Sequence, residues 1–524
     1  MGKWLVMVLG LSLVASEGVR AQNASIADIL ASQEVVEEGG RKLVVATLAD
    51  VLRMAKDRNQ FLDSLRMGIP LAESRLLAAE NRLNPTVTTS VAYDHSFSRS
   101  SGTSAAAAGN FVNLAGSDLY TFSSSYNQKL YSGIQVGMTY AETRSRFQSG
   151  AIATQGAAAT LGPMGTWLDA NTLKGTVTIP LGQDFGYQVN EVPAARGKAN
   201  LQAAQVDVQG QEMTLLQQVA STYWDMVGLL ETQKTQRKAV AQSQQLLADN
   251  KVRLQAGVIS PVDLQVTETQ LAREQQQLLG TDLEILRVEN QVRTLLNLEA
   301  LNEYGLKPKD SPRPRTPPGD VDALRERTFD ASADLAKLQA ALKLNELDLI
   351  EARNKDRTDL KLNAYYTLYG YNASQFKTSA LNESGLAGRG AVLTWTVPLF
   401  DYNTQETLRQ RTLEKQQLQL RLESLKSDLS VRMQALVNQL RLSTQEVSTA
   451  GRTVKLMEEQ LANEIERLNL GQSTSFRVSQ AQQDLAQAQV NEILSRVRSE
   501  KNYLTLLSMT GRLFEEFGLN TRPK

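Results

Sequence analysis

The chain has 524 residues with 56 Lys+Arg and 56 Asp+Glu, so its formal net charge is zero and gives no support for a nucleic-acid partner. The absence of cysteine excludes disulfides and thiolate metal sites, and one histidine, His95, cannot supply an imidazole cluster. Hydrophobic residues make up 42%, and after the first two dozen residues no apolar run approaches the roughly 18–20 that a membrane helix needs. We therefore expect no enzyme, no bound metal, no cofactor and no membrane helix.

Residues 1–21 are predicted to be a secretory signal peptide. A cationic start at Lys3 precedes an apolar stretch at 4–14, and Val19-Arg20-Ala21 fits the small-x-small cleavage rule. The apolar stretch is too short for a membrane anchor. We expect export, cleavage after Ala21 and a short periplasmic segment at 22–42.

Two halves of the mature chain follow one order: helix, alternating strands, a very long helix, a tip and another long helix. The first half is predicted at 43–303 and the second at 321–512, with a tail at 513–524. The linker at 304–320 includes KPKDSPRPRTPPGD, which holds five of the thirteen prolines and favours extended chain. The motif Thr-Ile-Pro-Leu at 178–181 returns as Thr-Val-Pro-Leu at 396–399, which supports a duplication.

Long helices are predicted at about 198–255 and 404–470, where there is no proline. Gly257 and Gly471 follow these helices, and Ser or Thr with Pro261 then opens the next helix, so each half should fold back as a helical hairpin. A spacing of seven in the returning helices predicts coiled-coil seams. The residues at this spacing are Leu264, Leu271, Leu278, Ile285 and Val292, and then Val490, Val497 and Leu504.

Alternation with period two predicts strands that have one apolar face. It occurs at 86–97, 133–141, 173–181, 360–368 and 391–399. A soluble sandwich and a lipid-facing β-barrel both fit this pattern, and the aromatic residues in strands of about ten residues favour the barrel. One chain offers at most six strands, fewer than the smallest ordinary outer-membrane barrel, so closure requires a ring of several chains.

The order of these motifs resembles the TolC-type outer-membrane efflux family over nearly the whole mature chain. The matching residues are Asn84-Pro85 before the first strand, both Thr-[Ile/Val]-Pro-Leu motifs, Ala220-Ser221-Thr222-Tyr223-Trp224, and the tips RLQAGVISPVDLQVTETQLA and RLNLGQSTSFRVSQAQQDLA. The resemblance implies an α+β membrane protein: a homotrimer whose chains each give four strands to a shared outer-membrane β-barrel, surrounded by lipid and continued by a periplasmic α-helical barrel. It implies a passive exit duct for small molecules or secreted protein.

The resemblance also implies the partners and the candidate sites. A periplasmic adaptor of an inner-membrane pump, of RND or ABC type, would contact the tips at Ala256, Gly257, Val258, Leu470, Gly471 and Gln472. Family members carry acidic rings at the sixth and ninth residues after the second tip's glycine, where this chain has Arg477 and Gln480. Asp263 holds the sixth position after the first tip's glycine. We therefore hypothesise an Asp263–Arg477 link that holds the entrance shut.

A second departure from the family is Leu119–Phe147, which reads as two further strands joined near Tyr131-Ser132-Gly133. This hairpin could widen the barrel to six strands per chain or lie outside it. The main rival to a duct is a non-conducting trimeric coiled-coil stalk or adhesin. That rival explains the heptads but not the strands. The chain lacks the residues that an enzyme would require, with no Cys and one His. We therefore expect an interfacial or loop-edge role for His95.

Overall fold

The computed structural model describes residues 34–38, 41–104, 109–153, 165, 167–296, 304–313, 315, 320–372 and 387–519. The predicted signal peptide lies outside them. The described residues fall into two compact units: one drawn from Met1–Met67, Val206–Ala336 and Ser424–Lys524, the other from Gly68–Gln205 and Lys337–Glu423. We call the first the helical unit and the second the sheet unit.

The described elements alternate short strands, long strands and helices along the chain. They are β1 Glu34–Glu38, β2 Arg41–Ala46, α1 Leu48–Arg58, α2 Gln60–Arg66, α3 Gly68–Glu80, β3 Thr86–Ser104, β4 Gly109–Lys129, β5 Gln135–Ala153, β6 Leu168–Pro180, α4 Tyr187–Gln255, α5 Pro261–Leu296, β7 Tyr304–Pro308, α6 Val321–Ala331, α7 Ala333–Lys355, β8 Asp359–Asn372, β9 Ala387–Thr396, α8 Tyr402–Asn469, α9 Ser475–Met509 and α10 Leu513–Glu516.

The sheet unit is built on a six-stranded sheet with the order β3-β4-β5-β6-β8-β9. Each neighbouring pair is antiparallel. The predicted extra hairpin, Leu119–Phe147, forms parts of β4 and β5 and lies inside this sheet, between β3 and β6. The first half of the chain therefore supplies four strands of this sheet and the second half supplies two.

The strands begin and end at different residues from those predicted. Most extend beyond the predicted ranges, and β3 continues to Ser104. The last strand, β9, ends at Thr396, so the predicted end at 399 is wrong. Pro398 has no N–H to donate to a neighbouring strand, and Phe400 has a φ of 63°, which an extended strand does not allow.

The helical unit has its core where α1, α4, α5 and α9 meet the small sheet β1-β2-β7. Tyr223 is fully buried there, and its hydroxyl donates to the Ala46 carbonyl and to Asp310 Oδ2 at 2.8 Å. Ala220 and Trp224 are buried in the same core. This part of the family motif therefore has a packing role. In the predicted linker, residues 304–308 form β7, which pairs in parallel with β2.

A tight turn joins α4 to α5 and another joins α8 to α9, and α4 begins earlier than predicted, at Tyr187, and includes Pro193. On α9 the heptad residues Val497 and Leu504 are buried as predicted. On α5 the buried residues nearest the tip are instead polar: Thr267, Gln270 and Glu274. The heptad leucines of that stretch are only half-buried in the single chain. Among the described helices, none combines the length and apolarity needed to cross a bilayer.

Candidate functional site

One face of the six-stranded sheet is apolar and exposed to an unusual degree. Register brings Val91 opposite Phe122 in β4, and Leu362 in β8 opposite Leu393 in β9. Val91 is 79% exposed and Leu393 is 62% exposed. A contiguous exposed apolar surface of this kind marks contact with lipid or with another protein. Large residues that share the face and are exposed are Val87, Val91, Tyr93, Phe97, Tyr120, Phe122, Tyr126, Met138, Val177, Tyr366, Leu393 and Trp395.

The opposite face carries small and polar residues at the same registers. Ser90 faces Ser123 across the β3–β4 pair, and their hydroxyls lie 2.7 Å apart. Ser123 is followed across the sheet by Ala141 and then by Thr172. A sheet that is apolar on one side and polar on the other is the pattern of a barrel wall between lipid and water.

Charged residues lie on the apolar face of β3, β4 and β5, towards the ends of these strands at 104, 109 and 153. Asp118 is buried there; it accepts from Arg146 Nε at 2.7 Å and Tyr93 Oη at 3.1 Å, and lies 2.6 Å from His95 Nδ1. Arg146 also lies over the Trp167 ring. His95 thus lies within β3 as part of a paired polar cluster. An Arg and aromatic cluster at the end of an apolar band suits the bilayer interface.

The first helical tip ends α4 in a tight left-handed turn at Gly257, whose φ is 73°. Val258 N donates to Arg253 O and Gly257 N to Leu254 O, which together form a Schellman motif. Ser260 and Asp263 then form a reciprocal cap on α5: Asp263 N donates to Ser260 Oγ, and Asp263 Oδ2 accepts from Ser260 N. Only glycine adopts this φ at little cost.

The second tip repeats the turn with Gly471 at a φ of 74°. Gln472 N donates to Arg467 O and Gly471 N to Leu468 O, so both tips end in the same motif. Thr474 caps α9 by accepting from Arg477 N at 3.4 Å. Arg477 therefore holds the position that Asp263 holds in the first tip, and an arginine cannot return the cap.

The structure gives Asp263 and Arg477 different nearby partners. Asp263 accepts from Ser260 Oγ at 2.9 Å. At the second tip, the Ser473 hydroxyl lowers the pKa of Glu464, and the charges of Arg467 and Arg477 act in the same direction. Among the residues that the structure describes, no ion pair joins Asp263 to Arg477 within one chain. Gln480 donates to Asp484 on its own helix. The latch stays a prediction, and Glu464 is an acidic neighbour that sequence reasoning missed.

A buried asparagine connects three helices just behind the tips. Asn250 is 0% exposed; its amide donates to Thr267 Oγ1 on α5, and it accepts from Ser475 Oγ on α9 at 2.8 Å. Thr267 Oγ1 in turn donates to Asp263 O. Asn250 therefore links the first hairpin to the start of the second returning helix. Its position among Lys, Arg and Gln in the sequence gave no sign of this role.

We predict that Asn250→Leu loosens the tips, because Ser475 loses its acceptor in a buried place while the side-chain volume is kept. Leaving such a group unsatisfied costs about 1–3 kcal/mol. The urea midpoint of unfolding should fall and channel conductance should rise. Asp249→Ala, which alters the exposed neighbour, should change the free energy of unfolding by no more than about 0.5 kcal/mol. It should leave the conductance unchanged. Equal effects of the two variants would show that Asn250 is not a connector.

Comparison with known proteins agrees with this geometry. Residues 135–298, which run from the first residue of β5 through α5, match the family model described as Outer membrane efflux protein. The predicted resemblance to the outer-membrane efflux family is confirmed. Comparison with curated protein sequences finds no significant match.

The fold is shared with solved outer-membrane channels. CusC, a protein that forms a transmembrane channel, superposes in its crystal structure with a TM-score of 0.63 at 11% identity, covering 88% of this chain and 92% of CusC. The CmeC outer membrane channel of Campylobacter jejuni gives 0.61 at 13% identity, with 89% and 86% covered. VceC of Vibrio cholerae gives 0.60 at 14% identity, with 90% and 96% covered. These descriptions agree with the predicted outer-membrane location.

Proposed function

We propose that this chain is the outer-membrane exit duct of a tripartite efflux or type I secretion system, and that it works as a homotrimer. The observation that carries this proposal is the six-stranded sheet with an exposed apolar face and a small, polar opposite face. In such a wall the first face contacts lipid and the second lines a hydrated lumen. The shared fold with outer-membrane channels supports the same conclusion.

The helical tips are the surface that we propose for the periplasmic adaptor. Val258 and Val262 at the first tip and Leu470 at the second expose large apolar side chains. Exposed apolar residues at two similar turns form a docking surface that a partner protein can cover. Ala256, Gly257, Gly471 and Gln472 complete this surface. The partner pump, of RND or ABC type, supplies the energy, and transport through the duct itself is passive.

The decisive experiment is single-channel recording of the purified protein in a planar bilayer. A duct gives discrete conductance, which rises when tip contacts are removed. The rival, a non-conducting trimeric stalk or adhesin, gives none. Silence of well-folded trimers, including the tip variants, would overturn the duct.

The entrance latch gives a separate prediction. Asp263→Ala and Arg477→Ala should each raise conductance and antibiotic leakage, because each removes one charge of the proposed pair. One exposed pair contributes at most about 1 kcal/mol, so the effect depends on its repetition around the ring. The exchange Asp263→Arg with Arg477→Asp should restore the closed state.

A control identifies the partner of Arg477. If Glu464→Gln opens the channel as much as Arg477→Ala while Asp263→Ala has no effect, Arg477 acts through Glu464 and the Asp263 link is wrong.

A further inference from the structure

The six-stranded sheet ends in two strands that lack an outer neighbour among the described strands. β3 pairs with β4 alone and β9 with β8 alone. Both edge strands carry exposed apolar residues on the apolar face, including Val87 and Val91 on β3 and Trp395 on β9. A lipid-facing strand edge cannot leave its N–H and C=O groups unpaired. Each edge therefore needs another strand.

We propose that all six strands form the barrel wall and that β9 of one copy pairs with β3 of the next. Three copies then give a wall of eighteen strands, in place of the twelve that the family resemblance implies. This inference rests on the proposed function. It assigns the additional hairpin to the pore itself, and it makes the lumen wider than that of a twelve-stranded duct.

Strand direction permits this closure. Each pair from β3 to β9 is antiparallel, so six strands place β9 opposite in direction to β3. The β9 of one copy and the β3 of the next then meet as an antiparallel pair. A head-to-tail contact of this kind closes into a ring when the rotation from one copy to the next completes a full turn. Adding one hairpin preserves the alternation, since a hairpin adds two strands of opposite direction.

The face pattern continues into the hairpin at the registers next to its turn, whereas further along β5 the apolar face carries Glu142 opposite Phe122 and Arg144 opposite Tyr120. On the apolar face, Val87 lies opposite Tyr126, which lies opposite Met138. On the polar face, Ser90, Ser123 and Ala141 follow one another across the same strands. A hairpin folded outside the wall would not need an apolar face and a polar face in register with those of its neighbours.

The turn between β4 and β5 is held against the start of α4. Gly133 has a φ of 91°, and a Cβ there would lie 2.1 Å from the Asp184 carbonyl oxygen. Gly186 N donates to Ser132 O at 3.0 Å, and the Tyr131 and Tyr187 rings lie 5.4 Å apart. The base of the hairpin is therefore attached to the same chain segment that follows β6.

The consequence is a wide exit. Barrel diameter grows roughly in proportion to strand number, so eighteen strands give about 1.5 times the diameter and about twice the cross-section of twelve. Small residues such as Ser90, Ser123 and Ala141 on the polar face keep that space open. The barrel then admits bulkier hydrated solutes than a twelve-stranded duct, and size selection falls to the helical tips.

Cysteine pairs in the full chain test the wall, since the natural sequence has no cysteine. Thr394→Cys on β9 is combined in turn with Thr88→Cys, Ser90→Cys or Ala92→Cys on β3, all on the polar face. We expect mild oxidation of at least one pair to give a covalent ring of three copies on a denaturing gel.

Two control pairs represent the competing walls. Ser90→Cys with Thr172→Cys becomes linked only if β4 and β5 lie outside the wall. The pair Thr394→Cys and Ala141→Cys becomes linked only if β3 and β4 lie outside the wall, so that β9 of one copy meets β5 of the next. A disulfide in either control, or none in the three β9–β3 pairs, would overturn the inference.

Polymer exclusion tests the width. Polyethylene glycols of graded size are added on the barrel side of the conducting protein and of a variant that lacks 109–153, in which β3 and β6 become neighbours. We expect the deletion to lower the largest polymer that enters. Equal size limits in two conducting proteins would reject the wide barrel and leave the duct intact, whereas absence of conductance from both would reject the duct.

Discussion

Leu393→Arg is expected to prevent most of the protein from assembling in the outer membrane. Leu393 lies on the apolar face of β9 and pairs with Leu362 of β8. An arginine on the lipid face of a barrel costs about 2–4 kcal/mol at the bilayer midplane and less towards the interfaces. In the proposed trimer each of the three copies bears this cost. The measurement is the fraction of folded trimer in outer-membrane extracts, with the urea midpoint of what remains.

The matched control is Thr394→Arg, one residue further along the same strand. Thr394 pairs with Lys361 and lies on the polar face. Leu393 and Thr394 are both exposed in the single chain, so exposure alone predicts no difference between them. We expect Thr394→Arg to assemble normally and to shift the channel towards anions. Similar assembly of both variants would show that the apolar face does not contact lipid.

Arg315→Ala is expected to destabilise the helical unit strongly, by about 3 kcal/mol, the lower end of the range for breaking a buried ion pair. Glu500 on α9 is 1% exposed. Its carboxylate accepts from Arg315 Nε at 3.1 Å and from Arg313 N at 2.9 Å. Without Arg315 the Glu500 charge stays buried, and the Arg313 N–H is then its one donor among the residues that the structure describes. The readout is the urea midpoint of unfolding.

The partner variant separates the buried charge from the lost packing. Arg315 also lies over the Tyr503 ring, with its Cζ 4.8 Å from the ring centroid. In the double variant Arg315→Ala with Glu500→Gln, the side chain at position 500 is uncharged. Its amide oxygen can still accept from Arg313 N. The double variant should therefore be more stable than Arg315→Ala alone. Equal instability of the two would assign the effect to lost packing on Tyr503.

Local patterns in the sequence predicted the parts that depend on neighbouring residues. Period two located the strands and their apolar faces, because side chains of a strand alternate between the two sides of a sheet. Gly257 and Gly471 predicted both tips, because a left-handed turn after a helix favours glycine. The same alternation predicts two strands at 119–147.

Patterns among neighbouring residues are therefore enough to predict the elements, their two kinds of face and the resemblance to the efflux family. The position of the extra hairpin between β3 and β6 is visible in the fold alone, because strand order depends on pairing between residues far apart in the chain. The same holds for Asn250, Glu500 and Asp118. Each is a polar residue whose burial is set by distant partners, and those partners leave no periodic trace in the sequence around it.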